Sequence, residues 1–301
     1  MPNKELNLEQ SQAVAHTDGP LLIVAGAGTG KTTVITQKIT RLITENNVKP
    51  EEILALTFTE KAAFEMLTRV EEELGESYSD LQISTFHAFC QRILEAHGLD
   101  IGLPTPFKLV TELQAWFLVK EAFKTFDLKY YRPLANPTRH IHELIKHFSK
   151  CKDELISAEK YLSYAEGLAL DHDEERAEVR SRTLELANAY HRYQRLLLEH
   201  NSLDFGDLMF YAVQLLENRP SIRAKLGRRF TYILVDEFQD VNYAQYRLVQ
   251  LLAGSAKHLT VEGDDDQSIY AFRGASVANI LHFKDDFPSA KAIVLNQNYR
   301  S

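Results

Sequence analysis

The chain has only two cysteines in 301 residues, Cys90 and Cys151. They lie far apart and form no C-x-x-C pair, so neither a disulfide framework nor a zinc site has enough ligands, and a reducing cytoplasm is the expected setting. A basic excess is also lacking: 34 Lys and Arg stand against 42 Asp and Glu, a net charge of −8. Any contact with nucleic acid must then come from a local basic face. No window approaches the roughly 18 apolar residues of a membrane span, and the N-terminus Met1-Pro2-Asn3-Lys4-Glu5 is polar, so a soluble, unexported protein with no membrane partner is expected. Internal repeats and low-complexity tracts are absent. The composition, 45% hydrophobic and 25% charged, excludes disordered and fibrous classes, and the length suggests about two domains.

What is present is an alternation of short apolar runs and helical patterns. Leu21-Leu22-Ile23-Val24-Ala25 reads as a strand, followed by a glycine-rich turn and then Val34, Ile35, Ile39, Leu42 and Ile43 at helical spacing. A second unit runs from Ile53 to Phe58 into a helix that Thr59 is placed to cap. A third joins Gln82-Ile83-Ser84-Thr85 to a helix over 86–96. The strand signal then stops, and 109–201 reads as helices broken near Pro133 and Pro137 and by the acidic run Asp171 to Glu175, with Trp116 in their core. Strands return at Tyr232–Val235, His258–Val261 and Ala292–Leu295, with a helix after Asn242. This pattern predicts an α/β fold with a mostly parallel sheet, ligands at the carboxyl ends of its strands, and an inserted helical domain.

The loop Ala25, Gly26, Ala27, Gly28, Thr29, Gly30, Lys31, Thr32, Thr33 follows a strand and opens a helix, the setting of a phosphate-binding P-loop. Glycines let backbone N–H groups turn around phosphates, Lys31 reaches the β/γ oxygens, and Thr32 is suited to hold Mg²⁺. Ala25 replaces the first glycine of the usual pattern with a residue small enough for the turn. The run Tyr232-Ile233-Leu234-Val235 ends in Asp236 and Glu237. Asp236 is a candidate Mg²⁺ anchor, and Glu237 is placed to polarise a water that attacks the γ-phosphate, which favours hydrolysis over simple nucleotide binding.

Seven motifs in order then resemble the UvrD/Rep/PcrA group of superfamily 1 DNA helicases. They are Leu6-Asn7-Leu8-Glu9-Gln10 ahead of the P-loop; the P-loop itself; Thr57-Phe58-Thr59-Glu60-Lys61-Ala62-Ala63; Ile83-Ser84-Thr85-Phe86-His87; and Asp236-Glu237-Phe238-Gln239-Asp240. Gly263 to Tyr270 with Arg273-Gly274-Ala275, and Gln297-Asn298-Tyr299-Arg300-Ser301, complete the set. The resemblance implies a RecA-like P-loop NTPase domain 1A over 1–108 and 201–290, a helical domain 1B over 109–200, and the start of a second RecA-like domain at 291–301. It implies ATP with Mg²⁺, movement 3′ to 5′ on single-stranded DNA, and unwinding at single-strand/duplex junctions in repair or replication. Gln10 then reads the adenine edge, Tyr299 stacks on the adenine, Gln267 senses the γ-phosphate, and Arg300 is aimed at it. The family places ATP between two such domains, so the chain is expected to be the N-terminal part of a longer helicase whose C-terminal RecA-like domain is its partner.

The same resemblance assigns Phe58, Tyr270 and Phe272 as stacking faces for bases, with Thr57, Thr59, Lys61, Thr85, His87 and Arg273 as backbone or coupling contacts. Phe272 stands where close relatives usually carry Trp, which implies a weaker grip on single strands. Phe238 replaces the commoner Tyr, and both departures occur in RecB-like relatives, so a helicase–nuclease motor subunit stays open, as does an ATP- and DNA-binding module without turnover. Between 120 and 152 the insert carries eight bases, Lys152 included, against three acids, equally a guide for duplex DNA or a solvated face. His140, His142 and His147 read as surface residues, and Asp204 and Asp207 as helix caps.

Overall fold

The computed structural model describes residues 6–168, 174–254, 258–264 and 283–299. The chain divides into two units, Met1–Phe89 with Leu216–Ser301, and Cys90–Leu215.

The first unit is built on β1 (Leu21–Ala25), β2 (Ile53–Thr57), β3 (Gln82–Thr85), β6 (Tyr232–Val235), β7 (His258–Gly263) and β8 (Lys291–Leu295), the remaining strands β4 (Lys108–Leu109) and β5 (Ser202–Leu203) lying in the insert. All neighbouring pairs are parallel, in the order β3-β2-β6-β7-β1-β8. Parallel strands covered on both faces need near-continuous apolar runs, and β2 is buried at every position. α2 (Lys31–Thr44) lays Ile35, Ile39 and Leu42, and α3 (Glu60–Leu74) lays Met66 and Val70, against Ile53, Ala55 and Leu234. Each such side chain contributes about 1.5–3 kcal/mol of burial. α1 (Leu8–Ala15) places Ala13 and Val14 against Leu21, Ile23, Ile293 and Leu295.

Lys291–Leu295, in the stretch expected to open a further domain, form β8, which pairs with β1 from Leu21↔Lys291 to Ala25↔Leu295. The inserted unit is also wider than 109–200. Its boundaries fall inside α4 (Phe86–His97) and α9 (Phe205–Asn218), where Cys90 Sγ lies 3.7 Å from Met209 Sδ. A short parallel ladder of β4 with β5 joins the two ends of the helical stretch. The core of this unit gathers Val119, Phe123, Ile141, Leu144, Phe148, Tyr190, Tyr193 and Leu197 from α5 (Glu112–Glu121), the turn after it, α6 (Ile141–Asp153) and α8 (Glu174–Glu199), with Trp116 packed partly buried against it.

Two readings of the insert are corrected. Lys152 belongs to no basic surface: it is fully buried, with Nζ 2.7 Å from Asp204 Oδ2 and 2.9 Å from Asp207 Oδ1. Asp204 and Asp207 do cap the start of α9 reciprocally, at 2.9 and 3.0 Å, but they also hold this charge. His147 is half-buried, with Nε2 3.0 Å from Tyr161 Oη, and burial, then Lys150, lowers its pKa.

Lys38 ties α2 to α1. It is 3% exposed, and its ammonium donates to the carbonyls of Ala13, at 3.0 Å, and His16. Burial, helped by Arg41, pushes its pKa from 10.5 down to about 8. Above pH 8 the folded chain therefore sheds a proton that the unfolded chain keeps to about 10.5, so this group adds stability as pH rises through that window. Thermal melts from pH 7 to 10 are expected to resolve this increment in the wild type and lose it in Lys38→Met.

Candidate functional site

The strand order decides where the motifs meet. β7 lies between β1 and β6, so the P-loop after β1 and the acidic pair after β6 flank the carboxyl end of β7. Ala25 is 1% exposed at the end of β1, and Gly26 to Gly30 carry the chain into α2 at Lys31. Gly30 has a φ of 89°, and a Cβ there would meet Gln10 Nε2 at 2.7 Å, so only glycine fits.

Gln10 is buried and held at both ends of its amide. Its Nε2 donates to the Thr29 carbonyl at 2.8 Å, and its Oε1 accepts from the Asn7 N–H at 3.0 Å, closing a capping box on α1. The far end of the chain returns to the same loop: Tyr299 N–H donates to the Gly28 carbonyl at 2.9 Å, and Asn298 Nδ2 to the Ala27 carbonyl at 3.0 Å. Asn7 Nδ2 donates to Tyr299 Oη at 2.9 Å. Gln10, the P-loop and Tyr299 are thus brought together, although fraying is the default for a terminus.

Lys31 sits at the centre. Its Nζ is 2.8 Å from Glu237 Oε2 and 3.8 Å from Glu262 Oε1. Burial opposes its charge, but Glu262 and then Glu237 overcome that and hold its pKa above the usual value. Gln239, 2% exposed, donates to Glu237 Oε2 at 2.7 Å and accepts the Asp264 N–H at 2.9 Å, fixing that carboxylate to the end of β7. Asp236 is 7% exposed; burial raises its pKa. Glu262 is fully buried, and burial and then Asp236 push its carboxyl well up. No N–H or O–H of another group reaches Asp236 Oδ1 or either Glu262 oxygen, and the two carboxyls face each other within reach of one shared proton. Buried carboxylate oxygens at this rim, together with the hydroxyl of the half-buried Thr32 at the start of α2, are donors of the kind a hard divalent cation takes next to phosphates. Thr33 follows in the first turn of α2, its carbonyl and that of Thr32 accepting from Thr36 Oγ1. Gln267 and Arg300 lie outside the described residues.

The nucleic-acid candidates of this unit cluster at the ends of β2 and β3. Thr57 is buried, with Oγ1 3.2 Å from the Thr59 carbonyl, and Thr59 caps α3 through the Ala62 N–H at 3.1 Å. Phe58 is half-buried, its ring 5.7 Å from that of Phe86. Lys61 is 86% exposed. Thr85 is buried and donates to Glu60 Oε1 at 2.8 Å. His87 is half-buried, and burial lowers its pKa against the pull of Glu60. Tyr270, Phe272 and Arg273 lie outside the described residues. Among the described residues no group of three or more His, Cys, Asp or Glu stands ready to hold a metal, and no helix is long and apolar enough to cross a membrane.

Against known proteins, the UvrD/REP helicase N-terminal domain family matches residues 6–288. The chain belongs to this family. Among its relatives, the ATP-dependent DNA helicase PcrA of Staphylococcus epidermidis is 42% identical over 300 residues, 99% of this chain and 38% of that protein. The protein of the same name from Staphylococcus aureus is 41% identical over 298 residues, 98% of this chain and 38% of that protein. The chain thus spans about 38% of the length of the curated relatives it matches.

Within this UvrD/REP-type domain three side chains escaped the sequence reading. Glu262 was legible only as a carboxylate at the end of a strand-like run, Leu259-Thr260-Val261-Glu262. Gln239 reaches Glu237 through a 3₁₀ turn, Phe238–Asp240, that spacing does not announce. Lys38 looks like any helical lysine until its burial is known.

Proposed function

We propose that this chain is the nucleotide-binding part of an ATP-dependent DNA helicase, which hydrolyses ATP and moves 3′ to 5′ along single-stranded DNA in a cytoplasmic setting. The observation that carries this reading is the meeting of Lys31, Asp236 and Glu237 at one rim of the sheet, with Lys31 2.8 Å from Glu237. In this reading Lys31 exchanges Glu237 for β/γ-phosphate oxygens when nucleotide enters, the P-loop N–H groups supply the remaining donors, and Gln10 and Tyr299 frame the adenine. Thr32 and Asp236 hold Mg²⁺, which when bound supplies charge neutralisation to the phosphates. Glu237, freed from Lys31 and held by Gln239, accepts the proton of the attacking water. Gln267 and Arg300 complete the γ-phosphate contacts. Phe58, Tyr270 and Phe272 stack bases, while Thr57, Thr59, Lys61, Thr85, His87 and Arg273 hold the strand. Domains 1A and 1B correspond to the two units, and a C-terminal RecA-like domain is the partner for translocation on single strands and at junctions.

A second reading, an ATP- and DNA-binding module without turnover, is favoured by the 2.8 Å ion pair between Lys31 and Glu237, because a carboxylate held by a lysine is a poor acceptor for the proton of water. Binding of mant-ATP and phosphate release with and without oligo-dT test both. The wild type is expected to bind mant-ATP, and Lys31→Ala to lose about 1.5–3 kcal/mol, roughly 10- to 100-fold in Kd. Unchanged binding by Lys31→Ala sinks the nucleotide site. Binding without release stimulated by oligo-dT selects the module.

A further inference from the structure

The carboxyl end of β7 carries a side chain that the reading above leaves without a task. Glu262 is adjacent in register to Asp236, since Val235 pairs with Val261 in parallel β6 and β7. On parallel neighbours at the same level the two side chains share one face of the sheet. Glu262 is 0% exposed; no N–H or O–H of another group reaches its oxygens, and its carboxyl faces that of Asp236 within reach of one shared proton. Burying two facing carboxyls in this way is costly unless a proton neutralises one of them or a cation compensates both. The cation in contact is Lys31, but at 3.8 Å, whereas Glu237 holds the same ammonium at 2.8 Å. Lys31 is therefore only a partial counter-charge for Glu262, and in the reading above it turns further toward phosphate when nucleotide binds. No N–H or O–H of another group reaches Asp236 Oδ1 next to it either.

We propose that Glu262 is a second protein carboxylate of the nucleotide's divalent-cation site, acting with Asp236 and Thr32. This rests on the nucleotide reading given above and adds to it a residue outside the family motif roles. Mg²⁺ is typically held by one or two carboxylates together with substrate phosphates, keeping some of its waters. Two carboxylates and a hydroxyl form no self-sufficient cage, in keeping with the absence of a three-ligand cluster among the described residues. The ion and the nucleotide therefore bind together, and Glu262 strengthens the metal-dependent part of nucleotide affinity while adding little to the metal-free part.

The experiment measures mant-ADP binding to the 301-residue chain in EDTA and across a Mg²⁺ titration, with Mn²⁺ electron paramagnetic resonance in the presence and absence of ADP. In Glu262→Gln the Mg²⁺ concentration for half-maximal enhancement is expected to rise about 10-fold, the EDTA affinity to hold or improve, and the ADP-dependent Mn²⁺ signal to weaken. Glu262→Asp, which keeps the charge but withdraws it by one methylene, is expected to fall between wild type and Glu262→Gln. Should Glu262→Gln fail to fold, Glu262→Asp decides on the same Mg²⁺ titration. A Mg²⁺ response equal to wild type overturns the assignment, and so does an affinity loss of the same factor in EDTA and in Mg²⁺, which would mark Glu262 as an anchor for Lys31 alone. A wild-type chain that binds no mant-ADP overturns the nucleotide reading itself and this assignment with it.

Discussion

Glu237→Gln is expected to leave mant-ATP bound and to lower oligo-dT-stimulated phosphate release by about 10²–10⁴-fold, the usual contribution of a positioned general base. The amide is isosteric and its oxygen still accepts from Lys31 Nζ and Gln239 Nε2, the two donors now 2.8 and 2.7 Å from Glu237 Oε2. The lysine and the loop therefore keep their places, and only the capacity to take a proton is removed. Single-turnover phosphate release next to mant-ATP binding separates the two effects. Full turnover by Glu237→Gln would move the base elsewhere; lost binding would make Glu237 a support for Lys31.

The second large effect concerns stability. Lys152→Met is expected to destabilise the inserted unit by about 3–5 kcal/mol, because it strands two carboxylates in the interior. Lys152 and Asp207 are fully buried, and Asp204 nearly so. Burial opposes ionisation of Asp204, but Lys152 outweighs it and holds that pKa below the ordinary value; burial and then Asp204 raise Asp207. Tyr193 Oη donates to Asp204 Oδ2 at 2.8 Å and Gln194 Nε2 to Asp207 Oδ1 at 2.7 Å, so each acid has donors besides the lysine. Urea denaturation followed by tyrosine fluorescence measures the loss. A triple variant, Lys152→Met with Asp204→Asn and Asp207→Asn, is expected to recover much of it, since a neutral network leaves no uncompensated charge. A single variant as stable as the wild type would mean that the network contributes nothing.

These expectations mark the line between what was legible in the sequence and what was not. The P-loop is written in consecutive residues, and β1 and α2 appear where the apolar run and the helical spacing put them. Thr59 and Asn242 cap α3 and α11 (Tyr243–Ala253) as their side chains suggest. Local chemistry of this kind needs no knowledge of the fold. Lys152 and Asp204 are 52 positions apart, and a count of charges along the chain cannot distinguish a solvated lysine from one sealed in a core. The place of β7 between β1 and β6 is equally non-local, and it is this order that brings Glu262 beneath Lys31. The pairing of Lys291–Leu295 with β1 is non-local in the same way: a strand joins whichever sheet edge accepts its apolar face, here Ile293 and Leu295 against α1 and β1.

The backbone at Glu237, with a φ of 49°, has a further consequence. Consecutive residues of an extended strand point in opposite directions, so Asp236 and Glu237 could not both serve one cluster if β6 simply ran on. The left-handed kink folds two adjacent letters of the sequence onto a single target. Valine or isoleucine at 237 would lack the carboxylate and also resist that twist, so such a replacement would strip the acceptor from Lys31 and Gln239 and unsettle the turn that follows β6.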